Sequence, residues 1–289
     1  MFDDYRLGVT TISERLRDIT HLVPADTAPL GRMTALIATW DDVSPEVAKI
    51  ADSDDGVDLG SVLIRAPQPR PSKIVAAPVN YRKHQEEMGG ATGVYRDAAI
   101  ATIETYAGFC KAPSSIVGPD GTILLPVNSE RRFDHEAEVG VVIGPHRARH
   151  IHRADAHQYV FGYVPLLDIT MRGPEDRSFR KSFDSFTPIG PAIVTADELA
   201  DPGAVRFCLT VNGDLRQKAT TEDLIYDVPR LVELYSSAMT LEPGDIIATG
   251  TPEGVAEIKP GDELILTIAS VGRLTMRVAV ARVDGGTDL

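Results

Sequence analysis

The segment Phe133-Asp134-His135-Glu136-Ala137-Glu138-Val139-Gly140-Val141-Val142-Ile143-Gly144 constrains the fold of this chain more than any other. Its valines and isoleucine read as a strand, and strand side chains alternate between two faces. Glu136 and Glu138 therefore share one face, where like charges side by side repel. A hard divalent cation between them turns that repulsion into binding. A third acid, Asp168, ends the apolar run 159–167. Three carboxylates and no thiolates describe an oxygen-ligand site for magnesium, manganese or calcium rather than zinc. The residues alone also allow a solvated strand face, with Asp168 opening a turn.

The chain has 289 residues, enough for one large domain plus a small one. Its formal net charge of −13 argues against nucleic acid or an anionic membrane as a partner. Cys110 and Cys208 lie far apart and form no motif, which suits a reducing cytoplasm. Neither an apolar signal core at the N-terminus nor a membrane-spanning apolar run is expected.

Residues 1–70 read as a small N-terminal domain with one helix over 43–50. Ser44 is its expected N-cap and Pro45 its first helical residue, with Glu46 in the first turn. The Pro-rich stretch 66–72 marks a boundary. Beyond it, residues 71–289 carry short apolar runs separated by Gly and Pro, as in 73–78, 116–121 and 262–268. Helical candidates there are few: 96–106, 154–160 and 229–239. The expected class is α+β and strand-rich.

Further residues bear on chemistry. If the segment 80–88 is helical, His84 and Glu87 share a face. Glu87 could then orient the imidazole and make it a general base. An exposed polar helix fits the same residues, and Glu86 competes as partner. Lys181 lies among aromatics, as a cation facing an anion or as a surface lysine covering apolar area. Arg172 could bind a carboxylate by its planar fork or form a surface ion pair. The stretch 249–254 offers hydroxyls and backbone donors, and alone it is only a turn signal. The histidines 146, 150, 152 and 157 have cationic neighbours and read as a solvated connector. No glycine-rich nucleotide loop and no Gly-x-Ser-x-Gly elbow occurs.

Taken in order, several segments resemble the fumarylacetoacetate hydrolase family. They are Asn80-Tyr81 with His84 and Glu87, Phe109 to Ser115, Glu136-Ala137-Glu138, Asp168 to Arg172, Lys181 to Asp184, Val211-Asn212-Gly213, and Pro243 to Pro252. The resemblance implies a mixed β-sandwich roll as catalytic domain, a homodimer, and a magnesium, manganese or calcium ion. It implies Glu136, Glu138 and Asp168 as metal ligands, and His84 and Glu87 as a catalytic dyad in a lid. Lys181 matches the active-site lysine and Thr251 a substrate contact, and Arg172 and Tyr81 are further residues expected to bind substrate. The segment 88–108 looks long and the connector 168–181 short for the family, and both border the pocket. The implied function is a cytoplasmic, metal-dependent hydrolase of aromatic catabolism. It would cleave a carbon–carbon bond in an acylpyruvate-type β-diketo acid. Rivals are an oxaloacetate-type decarboxylase, an isomerase of unsaturated keto-diacids, and a metal-stabilised binding protein without turnover.

Overall fold

A computed structural model describes residues 1–89 and 102–282. Among these residues, strands Ala137–Ile143 and Val160–Leu167 pair antiparallel inside a six-stranded sheet. Its order is Val194–Thr195, Val160–Leu167, Ala137–Ile143, Ile246–Ala248, Ile74–Ala76, Phe109–Lys111. Ile246–Ala248 and Ile74–Ala76 run parallel while the other neighbours are antiparallel, so the sheet is mixed.

The two long strands are buried along their whole length, which is why both read as nearly unbroken apolar runs. Val139, Val141 and Ile143 point into one core, and Val142 on the opposite face joins another. Gly140 permits the close approach of the two strands, since a Cβ there would lie 2.8 Å from Val164 Cγ1.

The first core is shared with a five-stranded sheet and the helix Val228–Ala238. That sheet has the order Asp214–Thr220, Arg206–Val211, Glu263–Ile268, Gly272–Val280, Ile123–Leu125. Two sheets over one core, with few helices, give the strand-rich α+β fold expected. No helix among the described residues is long and apolar enough to cross a membrane.

The second core joins the six-stranded sheet to the N-terminal region, through Leu7, Leu36 and Ile37 against Val142, Val164 and Ile246. That region contains a three-stranded sheet and two helices, Arg32–Ala38 and Trp40–Ala51. The expected helix over 43–50 is therefore longer. Ser44 does not cap it, and Pro45 lies inside it rather than at its first position. Asp41 and Asp42, not Glu46, fill the first turn, where acids suit the helix dipole. The Trp40 ring meets Phe161 edge-on at 5.0 Å, so packing offsets the bond that Pro45 cannot donate.

Three other helical expectations met different outcomes. Arg153–Tyr159 is a 3₁₀ helix, tighter than the α-helix expected at 154–160. Helix Val228–Ala238 matches the candidate at 229–239 within a residue. Of the candidate 96–106, Ile103–Tyr106 is helical and 96–101 lies outside the described residues.

Phe161→Ala removes the ring that joins the N-terminal helix to the sheet. It should lower stability by about 3–5 kcal/mol, read as a shift of the urea midpoint at constant m-value. A loss below about 1 kcal/mol would show that this contact contributes little.

Candidate active site

Strand register builds the acidic cluster. Leu166 pairs with Glu138 and Leu167 with Ala137. One step further, the Asp168 N–H donates to the Glu136 carbonyl at 2.9 Å. Glu136 lies between Phe133–His135 and Ala137–Ile143, where the chain passes from a three-stranded sheet into the six-stranded one. Asp168 occupies the matching position between Val160–Leu167 and Thr170–Met171. The two crossing points face each other, and ligand oxygens of Glu136, Glu138 and Asp168 come within 4.8 Å of one another. All three residues are buried.

Cations answer this charge unevenly. Lys181 Nζ donates to Glu136 Oε2 at 2.7 Å and to Asp168 Oδ2 at 2.6 Å. Lys111, buried behind Asp168, binds its Oδ1 and donates to the Phe186 carbonyl at 3.0 Å. Arg172 reaches Glu136 Oε1 at 3.3 Å and Asp134 Oδ2 at 2.6 Å. Burial would raise the pKa of Glu136, but the charges of Lys181, Arg172 and His84 hold it well below the usual carboxylate range. Glu138 accepts only a backbone hydrogen bond among the described residues, from Gly250 N at 2.8 Å. Burial, followed by the charges of Asp168 and Glu136, pushes its pKa well above the ordinary value. An all-oxygen donor set with such uncompensated charge fits a hard divalent cation.

The segment 82–89 is helical, and it brings His84 and Glu87 together. His84 Nδ1 pairs with Glu87 Oε2 at 3.0 Å, and Glu87 Oε1 accepts from Gly254 N at 3.1 Å. The second bond distinguishes Glu87 from its competitor Glu86. Burial alone would raise the pKa of Glu87, but these two hydrogen bonds hold it below its usual value. With Nδ1 engaged, Nε2 is the imidazole nitrogen left for a water or substrate. His84, the three acids, Lys181, Arg172 and Thr251 line one cavity. Arg177 and Arg180 line it too, so a chain of net charge −13 concentrates cations here. That field favours an anionic ligand.

Tyr81 is placed elsewhere. Its ring is buried in the first core, edge-on to Phe207 at 6.3 Å, and it is not among the cavity-lining residues. Its hydroxyl has no hydrogen-bond partner among the described residues. The connector histidines 146, 150, 152 and 157 are exposed, as expected of a solvated segment. Of the segment 88–108, residues 90–101 lie outside the described residues. The connector 168–181 holds the short strand Thr170–Met171 and the helix Arg177–Arg180.

Several residues of the site escaped sequence reasoning. Asp134 precedes Glu136 by two positions, so the alternation that groups the glutamates could have included it. Lys111 falls in the segment Phe109 to Ser115 of the resemblance, but nothing local marks it as a lysine that will be buried. Gln217 bonds to Thr251 from a strand whose other side chains are exposed or half-buried, and its sequence neighbours are polar.

Comparison with known proteins agrees with this arrangement. A family model described as fumarylacetoacetate (FAA) hydrolase C-terminal matches residues 73–279. A maleylpyruvate hydrolase of Aquipseudomonas alcaligenes is 40% identical over 282 residues, covering 96% of this chain and 97% of that protein. The crystal structure of a maleylpyruvate hydrolase from Sphingobium sp. SYK-6, in complex with manganese(II) and pyruvate, superposes with a TM-score of 0.84. It is 38% identical and covers 97% of this chain and 98% of that one. An oxaloacetate tautomerase of Bacillus subtilis is 35% identical over 232 residues, covering 76% of this chain and 74% of that protein. A buried triad of acids, a paired histidine beside it and a family match spanning both sheets lead to one conclusion: the chain belongs to the fumarylacetoacetate hydrolase family.

Proposed function

We propose that the protein is a metal-dependent hydrolase that splits an acylpyruvate-type β-diketo acid into pyruvate and a carboxylic acid. The observation that carries this most directly is that His84, paired through Nδ1 with Glu87, lines the same cavity as the three carboxylates. Binding alone needs no general base. The maleylpyruvate hydrolase relatives, one of them holding manganese and pyruvate, support the reaction class. Glu136, Glu138 and Asp168 would hold the ion. The proposal includes magnesium as the working ion, a homodimer, a cytoplasmic location and a place in aromatic catabolism.

Bound there, a divalent cation supplies Lewis acidity toward the 2-oxo-carboxylate end of the substrate. The chain's own residues do the rest. His84 takes a proton from water at Nε2, and Glu87 stabilises the imidazolium that forms. The water oxygen adds to the distal carbonyl carbon. Lys181 stays charged, since Asp168 and Glu136 raise its pKa against the effect of burial. Two of its three donors are engaged by those carboxylates, which leaves one for the developing oxyanion. Breaking the carbon–carbon bond releases the carboxylic acid and the enolate of pyruvate, which takes up a proton. Arg172 and Thr251, which line the cavity, would hold the anionic substrate. The oxaloacetate tautomerase relative supports the alternative, a tautomerase or decarboxylase using the same chelated 2-oxo acid.

Incubation with magnesium and acetylpyruvate should yield pyruvate. His84→Gln keeps a polar side chain but no basic nitrogen, and should lose this cleavage by about 100-fold or more. Any oxaloacetate decarboxylation should survive better, because it needs no activated water. Equal loss of both activities would remove His84 as the base.

Lys181→Met should lower kcat by about 100-fold or more, the usual cost of an oxyanion donor. An effect confined to KM would assign Lys181 to substrate binding instead.

The raised pKa of Glu138 ties metal binding to pH. Just above the ordinary glutamate value of about 4.3, the free protein keeps this proton and the ion must expel it. Titration calorimetry in buffers of different ionisation enthalpy should therefore show proton release, with affinity falling as pH is lowered. Pairing without proton release in that window would place the ion away from Glu138.

A further inference from the structure

Gln217 is buried, 1% exposed, on the strand Asp214–Thr220, where its neighbours reach solvent. Its amide is bonded at both ends. Oε1 lies 3.0 Å from Ala137 N and 3.1 Å from His135 Nδ1. Nε2 lies 2.8 Å from Thr251 Oγ1 and 2.9 Å from the Pro252 carbonyl. The two backbone partners determine which end is which. A backbone N–H at Ala137 requires an oxygen opposite it, and a carbonyl at Pro252 requires an N–H.

Two consequences follow from that polarity. His135 must donate from Nδ1, because Oε1 can only accept. Thr251 Oγ1 must accept from Nε2, so its own proton points away from Gln217. No acceptor among the described residues takes that proton, and Thr251 lines the cavity that holds the three acids. A hydroxyl that accepts from one side and borders a cavity still has its proton to give to an anion bound there. The same glutamine grips Ala137, the residue between Glu136 and Glu138. One side chain thus links the donor to the segment Glu136-Ala137-Glu138, which carries two of the carboxylates.

We propose that Gln217 is a positioning residue for substrate. It commits Thr251 to donate to the carboxylate of a bound 2-oxo acid and holds that donor at a set distance from Glu136 and Glu138. This role rests on the acylpyruvate reading only in taking the ligand to be a carboxylate that chelates the ion. Gln217→Glu keeps the shape and both acceptor contacts but has no N–H to give. The Thr251 hydroxyl would then turn and donate to the new carboxylate, and the substrate would lose it.

The test is calorimetric binding of oxalate, a small chelating dianion, to the manganese-loaded full chain. Thr251→Val and Gln217→Glu should each weaken oxalate by about tenfold or more, the scale of one hydrogen bond to a charged group. Thr251→Ser, which keeps the hydroxyl, should stay within about threefold of the parent protein. The double variant Gln217→Glu with Thr251→Val should lose no more than about twofold beyond either single one, because both remove the same donor. In acetylpyruvate turnover the single variants should raise KM more than they lower kcat. If Gln217→Glu does not fold, Gln217→Met replaces it: it removes the N–H that orients Thr251 without taking the hydroxyl proton, so oxalate should weaken by less than in Thr251→Val, and an affinity unchanged from the parent would overturn the positioning role. Unchanged oxalate affinity in Thr251→Val, or additive losses in the double variant, would overturn the role while leaving the proposed function intact. Failure of the parent protein to bind oxalate with manganese present would overturn both.

Discussion

Three carboxylates held out of water within 4.8 Å of one another are the condition on which the rest of the site depends. Charges of one sign repel strongly where water is excluded, and each has lost its hydration. The chain offsets part of this with Lys181 between Glu136 and Asp168, Lys111 behind Asp168 and Arg172 behind Glu136. Those cations are themselves in tension. Burial lowers the pKa of Lys111, Asp168 raises it, and the nearby Lys181 charge lowers it again. Glu138 receives only a backbone N–H among the described residues and keeps the unbalanced share. A divalent cation completes the neutralisation, so holding the ion and tolerating the buried acids are one electrostatic problem.

The fold solves that problem by gathering distant segments. Antiparallel register sets Asp168 against Glu136, and both lie where their strands pass from one sheet to another. Such crossing points interrupt the ladder, which lets two acidic side chains turn into one cavity instead of lying flat on a sheet face. The loop at 250–254 then ties three parts together. Gly250 N holds Glu138, Thr251 meets Gln217 from the second sheet, and Gly254 N holds Glu87 on the helix. Gly254 has a positive φ of 90°, and a Cβ there would lie 2.2 Å from the Arg216 carbonyl. Only glycine fits that place without displacing the strand beneath it.

Much of this was legible in local pattern. The period-two spacing of Glu136 and Glu138 is a property of any strand. Unbroken apolar runs at 137–143 and 160–167 signal burial on both faces. The three-residue spacing of His84 and Glu87 holds in any helix. The helix at Trp40–Ala51 was harder, because its start depends on Trp40 packing against Phe161, far away in sequence. Tyr81 was misleading for a related reason: its neighbour His84 faces the cavity, while the tyrosine ring turns into the core.

By itself the sequence determined the strand-rich class, the facing of the glutamates and the oxygen character of the donor set. These follow from residue types and from the fixed periods of helix and strand, which need no partner segment. The tertiary structure alone decided that Glu87 rather than Glu86 holds His84, through a hydrogen bond from Gly254, and that Lys111 and Gln217 belong to the site. It also decided that Glu138, alone of the three acids, has no side-chain ion pair among the described residues. Each of these depends on which segments, tens to more than a hundred residues apart, are brought within hydrogen-bond distance in a place water has left. No local spacing encodes that.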